Sequence, residues 1–304
     1  MTAMQNAHRQ QEVVYQLTQW AKHQDSVRAM LLTSTRASPH AQVDVFSDYD
    51  VILVVRDIRP FFENRVWLQD FGQVLVSYWD PIQPKPDYGI EQVRNVIQYV
   101  DGLHIDFTIW PESLRRRIAM GSTLPAGLDV GYNILIDKDH LTDGLKAPTY
   151  TAYIPVSPTE GAYQTWVEEF FSDVPYVAKC LWRDELMPAK GCLDFDMKQK
   201  YLLQMLEWRI EIDQNWSVPT GGGKGLKKQL PPTIWSQLES TYVGAGIEEN
   251  WDALFKTINL FRHVAIEVAE FLAYVYPYDL DQQVTAYVQK MKQVNKEVDP
   301  PTDK

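Results

Sequence analysis

Three aspartates carry the chemistry open to this chain. Asp48 and Asp50 stand one residue apart at the start of an apolar run, Asp48-Tyr49-Asp50-Val51-Ile52-Leu53-Val54-Val55. Asp106 lies inside another, His104-Ile105-Asp106-Phe107-Thr108-Ile109. Residues two apart on a strand share a face, so Asp48 and Asp50 would meet, and their repulsion calls for a cation or a shared proton. Hard carboxylate oxygens suit magnesium, which bridges protein acids and substrate phosphates. A third carboxylate from a neighbouring strand would complete a site where two metals about 4 Å apart serve the attacking and leaving oxygens of an in-line displacement. Flanked by Ile105 and Phe107, Asp106 is expected to be half-buried, and an unpaired carboxylate there is costly. His104 is placed on the opposite strand face, outside the site.

Upstream, the apolar run Val27–Thr33 ends in Ser34-Thr35-Arg36. Its hydroxyls, backbone N–H groups and guanidinium are suited to phosphate oxygens. Taken alone, an Asp-x-Asp pair is most often a turn or a cap; the polar turn, the paired acids and the third acid together carry the reading.

The elements that must hold these residues alternate over the first half. Gln11–Lys22 has a helical apolar face in Val13, Val14, Leu17 and Trp20. Strands are predicted at Val27–Thr33, Asp50–Val55 and Gln73–Trp79, with a helix from Pro60 to Phe71 between the last two. Pro81–Tyr88 is a loop. Val93–Val100 and Leu103–Trp110 are joined at Asp101-Gly102 as a hairpin. A basic helix, Pro111–Met120, and a strand near Tyr132–Ile136 follow. Pro148, Pro155 and Pro158 mark a boundary. Beyond it, Ala162–Leu186, Asp196–Asn215, Thr233–Thr241, Ile247–Tyr276 and Asp279–Val298 show helical spacing. The expected class is therefore α+β: a mixed β-sheet domain flanked by helices over residues 1–150, then an α-helical bundle domain over 151–304.

The 304 residues suit two domains, and a hydrophobic content of 45% supplies their cores. The formal charge of −11 argues against nucleic acid as a partner, since phosphate contacts need cations. It favours a polycation, although acidity also serves solubility. Cys180 and Cys192 form neither a zinc nor a disulfide pattern. Met1–Gln11 lacks an apolar signal core, and no run reaches the roughly 18 apolar residues of a membrane span. A soluble, cytoplasmic monomer is expected. Gly221-Gly222-Gly223-Lys224-Gly225 lacks the spacing of a phosphate loop and reads as an interhelical loop. Trp166, Trp182, Trp208, Trp216, Trp235 and Trp251 read as helical core residues.

The turn, the Asp-x-Asp pair and the later Asp resemble the nucleotidyltransferase fold of the DNA polymerase β superfamily. Within it, the chain is similar to the aminoglycoside 6-adenylyltransferases, also called streptomycin adenylyltransferases, over nearly its whole length. Phe46-Ser47-Asp48-Tyr49-Asp50, Ile105-Asp106-Phe107-Thr108 and Leu135-Ile136-Asp137-Lys138-Asp139 carry the likeness in the first half. Pro175-Tyr176-Val177-Ala178-Lys179, Leu206-Glu207-Trp208, Trp251-Asp252-Ala253-Leu254-Phe255 and Tyr274-Val275-Tyr276-Pro277 carry it in the second. The resemblance implies magnesium-dependent transfer of AMP from ATP to a hydroxyl of streptomycin, with pyrophosphate released. Asp48, Asp50 and Asp106 would be the catalytic, metal-holding acids, with Asp106 either a ligand or, preferably, the proton acceptor. Ser34, Thr35, Arg36, Lys179 and Arg183 would bind the nucleotide. Glu169, in an acidic region with Glu168, Asp173, Asp184 and Glu185, would meet a guanidinium of the antibiotic. The family turn reads Gly-Ser-Arg; Ser34 replaces its glycine. That departure sustains two alternatives: an adenylyltransferase of another small molecule or protein, and a non-catalytic nucleotide-binding module.

Overall fold

The run Tyr49–Val55 is apolar at nearly every position, which suits a strand covered on both faces, and it becomes the centre of a sheet. The computed structural model describes residues 3–220 and 222–294. The chain divides into two units, Met1–Tyr153 and Ile154–Lys304, and has an α+β fold.

In the first unit, α1 (Ala3–His23) leads into β1 (Val27–Thr33), the 3₁₀ turn Ser34–Arg36 and β2 (Tyr49–Val55). Then come α2 (Arg59–Glu63), a 3₁₀ segment Val66–Phe71, β3 (Val74–Trp79), β4 (Gln83–Pro84), β5 (Glu91–Tyr99) and β6 (His104–Pro111). The unit closes with α3 (Glu112–Ala119), α4 (Ala126–Asp129) and β7 (Tyr132–Asp137). The helix predicted from Pro60 to Phe71 is therefore two pieces, interrupted at Asn64-Arg65. Beside them, Arg65 Nε donates to the Phe62 carbonyl.

The sheet order is β3-β5-β6-β2-β1-β7, with β4 paired to β5. β2 and β6 are parallel, and the other pairs are antiparallel. Alternation splits the core into two layers. Val51, Leu53, Val55, Ile105, Phe107 and Ile109 face a layer closed by Val13, Leu17 and Trp20 of α1 and by Phe61, Phe71 and Trp79. Ile52, Val54 and Trp110 face the other, closed by Leu114, Ile118 and Leu128. Asp50 and Asp106 alternate with the first set and therefore emerge on the second face. The hairpin forms where predicted, with Gly102 at φ 86° and Tyr99 N donating to Leu103 O at 2.8 Å.

The second unit is helical: α5 (Glu160–Trp182), α6 (Leu186–Lys190), a π-helical segment Gly191–Leu202, α7 (Leu203–Asp213), α8 (Leu226–Gln229), α9 (Pro232–Ser240), α10 (Ile247–Leu272) and α11 (Tyr278–Gln293). Tyr163, Val167, Phe170, Val174, Val177 and Leu181 recur every three or four residues and are all buried. Their stripe meets α10, where the rings of Phe170 and Phe261 stack at 3.6 Å. The helix predicted from Asp196 begins earlier and is wound as π over 12 residues. That segment buries Lys198, whose Nζ donates to Asp194 Oδ1 at 2.8 Å and to the Thr241 carbonyl at 2.6 Å. α10 stops at Leu272, short of the predicted Tyr276, because Ala273 turns left-handed at φ 59°. Of the predicted final helix, residues 295–298 lie outside the described residues, as does Gly221 of the glycine-rich loop. Trp216 falls after α7, in the loop. Both cysteines are buried and free. Among the described residues, no helix is long and apolar enough to cross a membrane.

Candidate active site

The parallel register of β2 and β6 sets Asp50 beside Asp106. Asp48 sits one residue ahead of β2 and is fastened by its own backbone. Arg36 donates through Nε to the Asp48 carbonyl at 3.0 Å and through Nη2 to the Ser47 carbonyl at 2.6 Å. A further bond runs from Nη1 to Gln10 Oε1 at 3.2 Å, and the guanidinium lies 3.8 Å over the Tyr49 ring. Arg36 is thus a brace under the loop that presents Asp48.

His104 stands between two of the acids. Nδ1 is 2.9 Å from Asp48 Oδ1, and Nε2 is 3.1 Å from Asp106 Oδ1. The expectation that it lies on the far side of the strand is corrected: His104 and Asp106 are two apart, so they share a face, by the same alternation that joins Asp48 to Asp50. The sequence held that signal. Ligand atoms of Asp48, His104 and Asp106 all lie within 4.8 Å of one another.

Burial and repulsion between acids set the electrostatics. Burial pushes the Asp50 carboxyl above its ordinary range, and the charges of Asp106 and Asp48 push it further; a Ser34 hydrogen bond and Arg94 oppose them. Asp106 is also raised, by burial first and by Asp48, against the pull of His104 and Arg94. Asp106 Oδ1 and His104 Nε2 are both buried without an aligned hydrogen bond, despite their close approach. A buried polar atom left in that state is costly. The carboxylate oxygens fit a hard divalent cation such as Mg²⁺.

Ser34 occupies the left-handed region at φ 61°, where glycine is at ease and other residues are strained. The turn is closed by Ala37 N and Ser38 N, each donating to Ser34 O at 3.0 Å. Thr35 is half-buried in the same turn. Below it opens a cavity of about 280 Å³ that includes Ser34, Asp50, Lys85, Arg94, Thr108 and Trp110 in its lining. Lys85 and Arg94 did not figure among the sequence candidates. Arg94 alternates with buried Val93 and Asn95, so its position on the face of the acids was readable in principle.

The other three candidates belong to the second unit. Lys179 is exposed on α5, and Arg183 caps that helix, also exposed. Glu169 is partly exposed, with Lys200 Nζ 3.5 Å from its Oε2.

Asp48 clusters with His104 and Asp106, and Asp50 lies beside Asp106 in register, next to a polar turn; this is a candidate site for phosphoryl-transfer chemistry. Comparison with known proteins identifies the family. A family model described as "Streptomycin adenylyltransferase" matches residues 7–291, and the chain belongs to that family. Aminoglycoside 6-adenylyltransferase of Bacillus subtilis is 29% identical, over 92% of this chain and 96% of its own. The enzyme of that name from Campylobacter jejuni is 28% identical over 93% and 96%. A crystal structure of an aminoglycoside 6-adenyltransferase from Bacillus subtilis aligns with 93% of this chain and 97% of its own, at 25% identity and a TM-score of 0.44.

Proposed function

We propose that this enzyme transfers AMP from ATP to a hydroxyl of a streptomycin-type aminoglycoside, releasing pyrophosphate and inactivating the antibiotic. One observation supports it above the others: Asp50 and Asp106 are paired across β2 and β6, with Asp106 Oδ1 buried and unsatisfied. The acceptor oxygen forms a bond to the α-phosphorus as the bond from that phosphorus to the bridging oxygen breaks. Pyrophosphate departs with the electron pair, and the hydroxyl proton passes to Asp106. A carboxyl raised above its usual range is the better base near neutral pH. A divalent cation held by Asp48 and Asp50, leaving Asp106 as the proton acceptor, would neutralise phosphate charge as it develops. Arg36 and His104 hold and orient Asp48, while Ser34 and Thr35 border the nucleotide.

On the second unit, Lys179 and Arg183 are assigned to phosphate, and Glu169 to a guanidinium of the antibiotic. A formal charge of −11 favours approach of such a polycation. The test is incubation with ATP, Mg²⁺ and a panel of aminoglycosides, reading pyrophosphate release and the mass of the antibiotic. One added AMP on streptomycin is expected; pyrophosphate release with no modified aminoglycoside would move the reading to another acceptor. The strained Ser34 favours one competing reading, a nucleotide-binding module without turnover. ATP binding with no product from any acceptor, reversed by Ser34→Gly, would establish it.

A further inference from the structure

We infer that Lys85 and Arg94 bind the polyphosphate of the nucleotide, in the cavity beneath Ser34 and Asp50. The inference rests on the reading that ATP is a substrate and adds the residues that hold its anionic part. Arg94 on β5 lies in register with Thr108, two residues beyond Asp106 on β6. It shares a face with Asp106, and it lines the same cavity as Asp50. Lys85 comes from the stretch between β4 and β5. It is half-buried, with Nζ 5.6 Å from the Trp110 ring centre. Burial, then the charge of Arg94, lowers its ammonium pKa. Two cations therefore repel each other in one partly enclosed space.

Lys85 is half-buried and Arg94 exposed, and among the described residues neither has a carboxylate at ion-pairing distance; buried Arg115 also has none, but three other cations do. Lys198 pairs with Asp194, Arg209 with Glu267, and Arg262 with Asp281. An anion bridging Lys85 and Arg94 would relieve the repulsion and accept hydrogen bonds from both. The cavity, about 280 Å³, has room for on the order of nine waters at ~30 Å³ each, enough for a phosphate chain. Its two cations disfavour a polycationic acceptor. Its border at Ser34 and Asp50 makes it continuous with the reacting centre, so the anion it suits is the one whose bond breaks there: a nucleoside triphosphate, and afterwards pyrophosphate.

The test is calorimetric titration of the full chain with ATP, and separately with pyrophosphate, in Mg²⁺ and without aminoglycoside. Lys85→Met and Arg94→Met are each expected to weaken both ligands about tenfold or more, while Lys85→Arg and Arg94→Lys keep most of the affinity. Thermal melts establish that each variant is folded, and the charge-keeping pair guards against a Met variant that is not. Wild-type affinity in both Met variants overturns the inference. So does unchanged ATP affinity in a Met variant that loses pyrophosphate release in a separate assay with acceptor, which would make the two cations modulators of Asp50 and Asp106. Because the titrations hold no acceptor, failure of the streptomycin assignment leaves them intact. Failure of the wild type to bind either ligand overturns the inference itself.

Discussion

Asp281 in the helical unit and Asp106 in the sheet unit are both sequestered carboxylates, and they titrate in opposite directions. Asp281 is the more deeply buried, with 3% of its side chain exposed against 24% for Asp106. Burial alone would raise both. Asp281 is nevertheless held below its ordinary range. Arg262 grips both oxygens, Nε at 2.5 Å and Nη2 at 2.6 Å, with Tyr276 Oη at 2.7 Å and Thr285 Oγ1 at 3.0 Å. Asp106 has Asp48 nearby, and burial with that charge outweighs the pull of the His104 imidazole, 3.1 Å from Oδ1. A carboxylate whose partners all lie in the chain keeps its charge despite burial; one set among other acids is pushed toward the neutral form. Burial without partners does not by itself mark a ligand site. Glu207 and Glu211 on α7 are also raised by burial with an unpaired oxygen each, yet backbone N–H groups from the loop after α7 also act on them.

The sharpest break of this comparison is functional. Asp106→Asn is expected to cut the rate of pyrophosphate release by about 10²–10⁴-fold, with the thermal melt little changed; Asp281→Asn should do the reverse. Next in size, Arg262→Ala strands Asp281 without its cation and should cost about 3 kcal/mol in urea unfolding, the low end of such losses because Arg262 is partly exposed.

Smaller, and opposite in sign between the units, are the effects of neutralising an acid. The folded pKa of Asp281 lies below its unfolded value. Its contribution is therefore present above the ordinary carboxylate range and lost as pH falls through the depressed value. For Asp50 the folded value lies above the unfolded one, so ionisation costs stability, increasingly as pH climbs from the ordinary range through the raised value. Asp50→Asn should consequently raise the melting temperature at pH 7, and Asp281→Asn should lower it. Both differences should shrink on acidification; a melting temperature unmoved by Asp50→Asn would remove the electrostatic contrast.

The smallest effect compares two left-handed residues, Ser34 at φ 61° and Ala273 at φ 59°. Ala273→Gly should stabilise by up to about 1 kcal/mol, since a methyl group is all it removes. Ser34→Gly should gain less, because the hydroxyl that moderates Asp50 goes with it. Equal gains in thermal melts would mean that the serine bond contributes nothing.

Much of this was legible in the sequence because it follows from period. Asp50 and Asp106 alternate with core residues, the Asp101-Gly102 hairpin has its own chemistry, and the stripe from Tyr163 to Leu181 keeps helical spacing. What was not legible depends on register between distant segments. Lys85 lies in a proline-rich stretch with no periodic signal, and its nearness to Arg94 and Trp110 exists only once β5 and β6 pair. The π winding of Gly191–Leu202 leaves no mark in an apolar pattern that α spacing fits as well. Arg36 was predicted to reach phosphate; three of its N–H groups instead serve carbonyls and Gln10, a partnership no local pattern encodes.

The Arg36 brace has an evolutionary corollary. It clasps main-chain oxygens of residues 47 and 48, atoms that every amino acid possesses. The side chain at position 48 can therefore be exchanged without loosening this clasp, whereas that of Ser47 also ties the loop to Asp44.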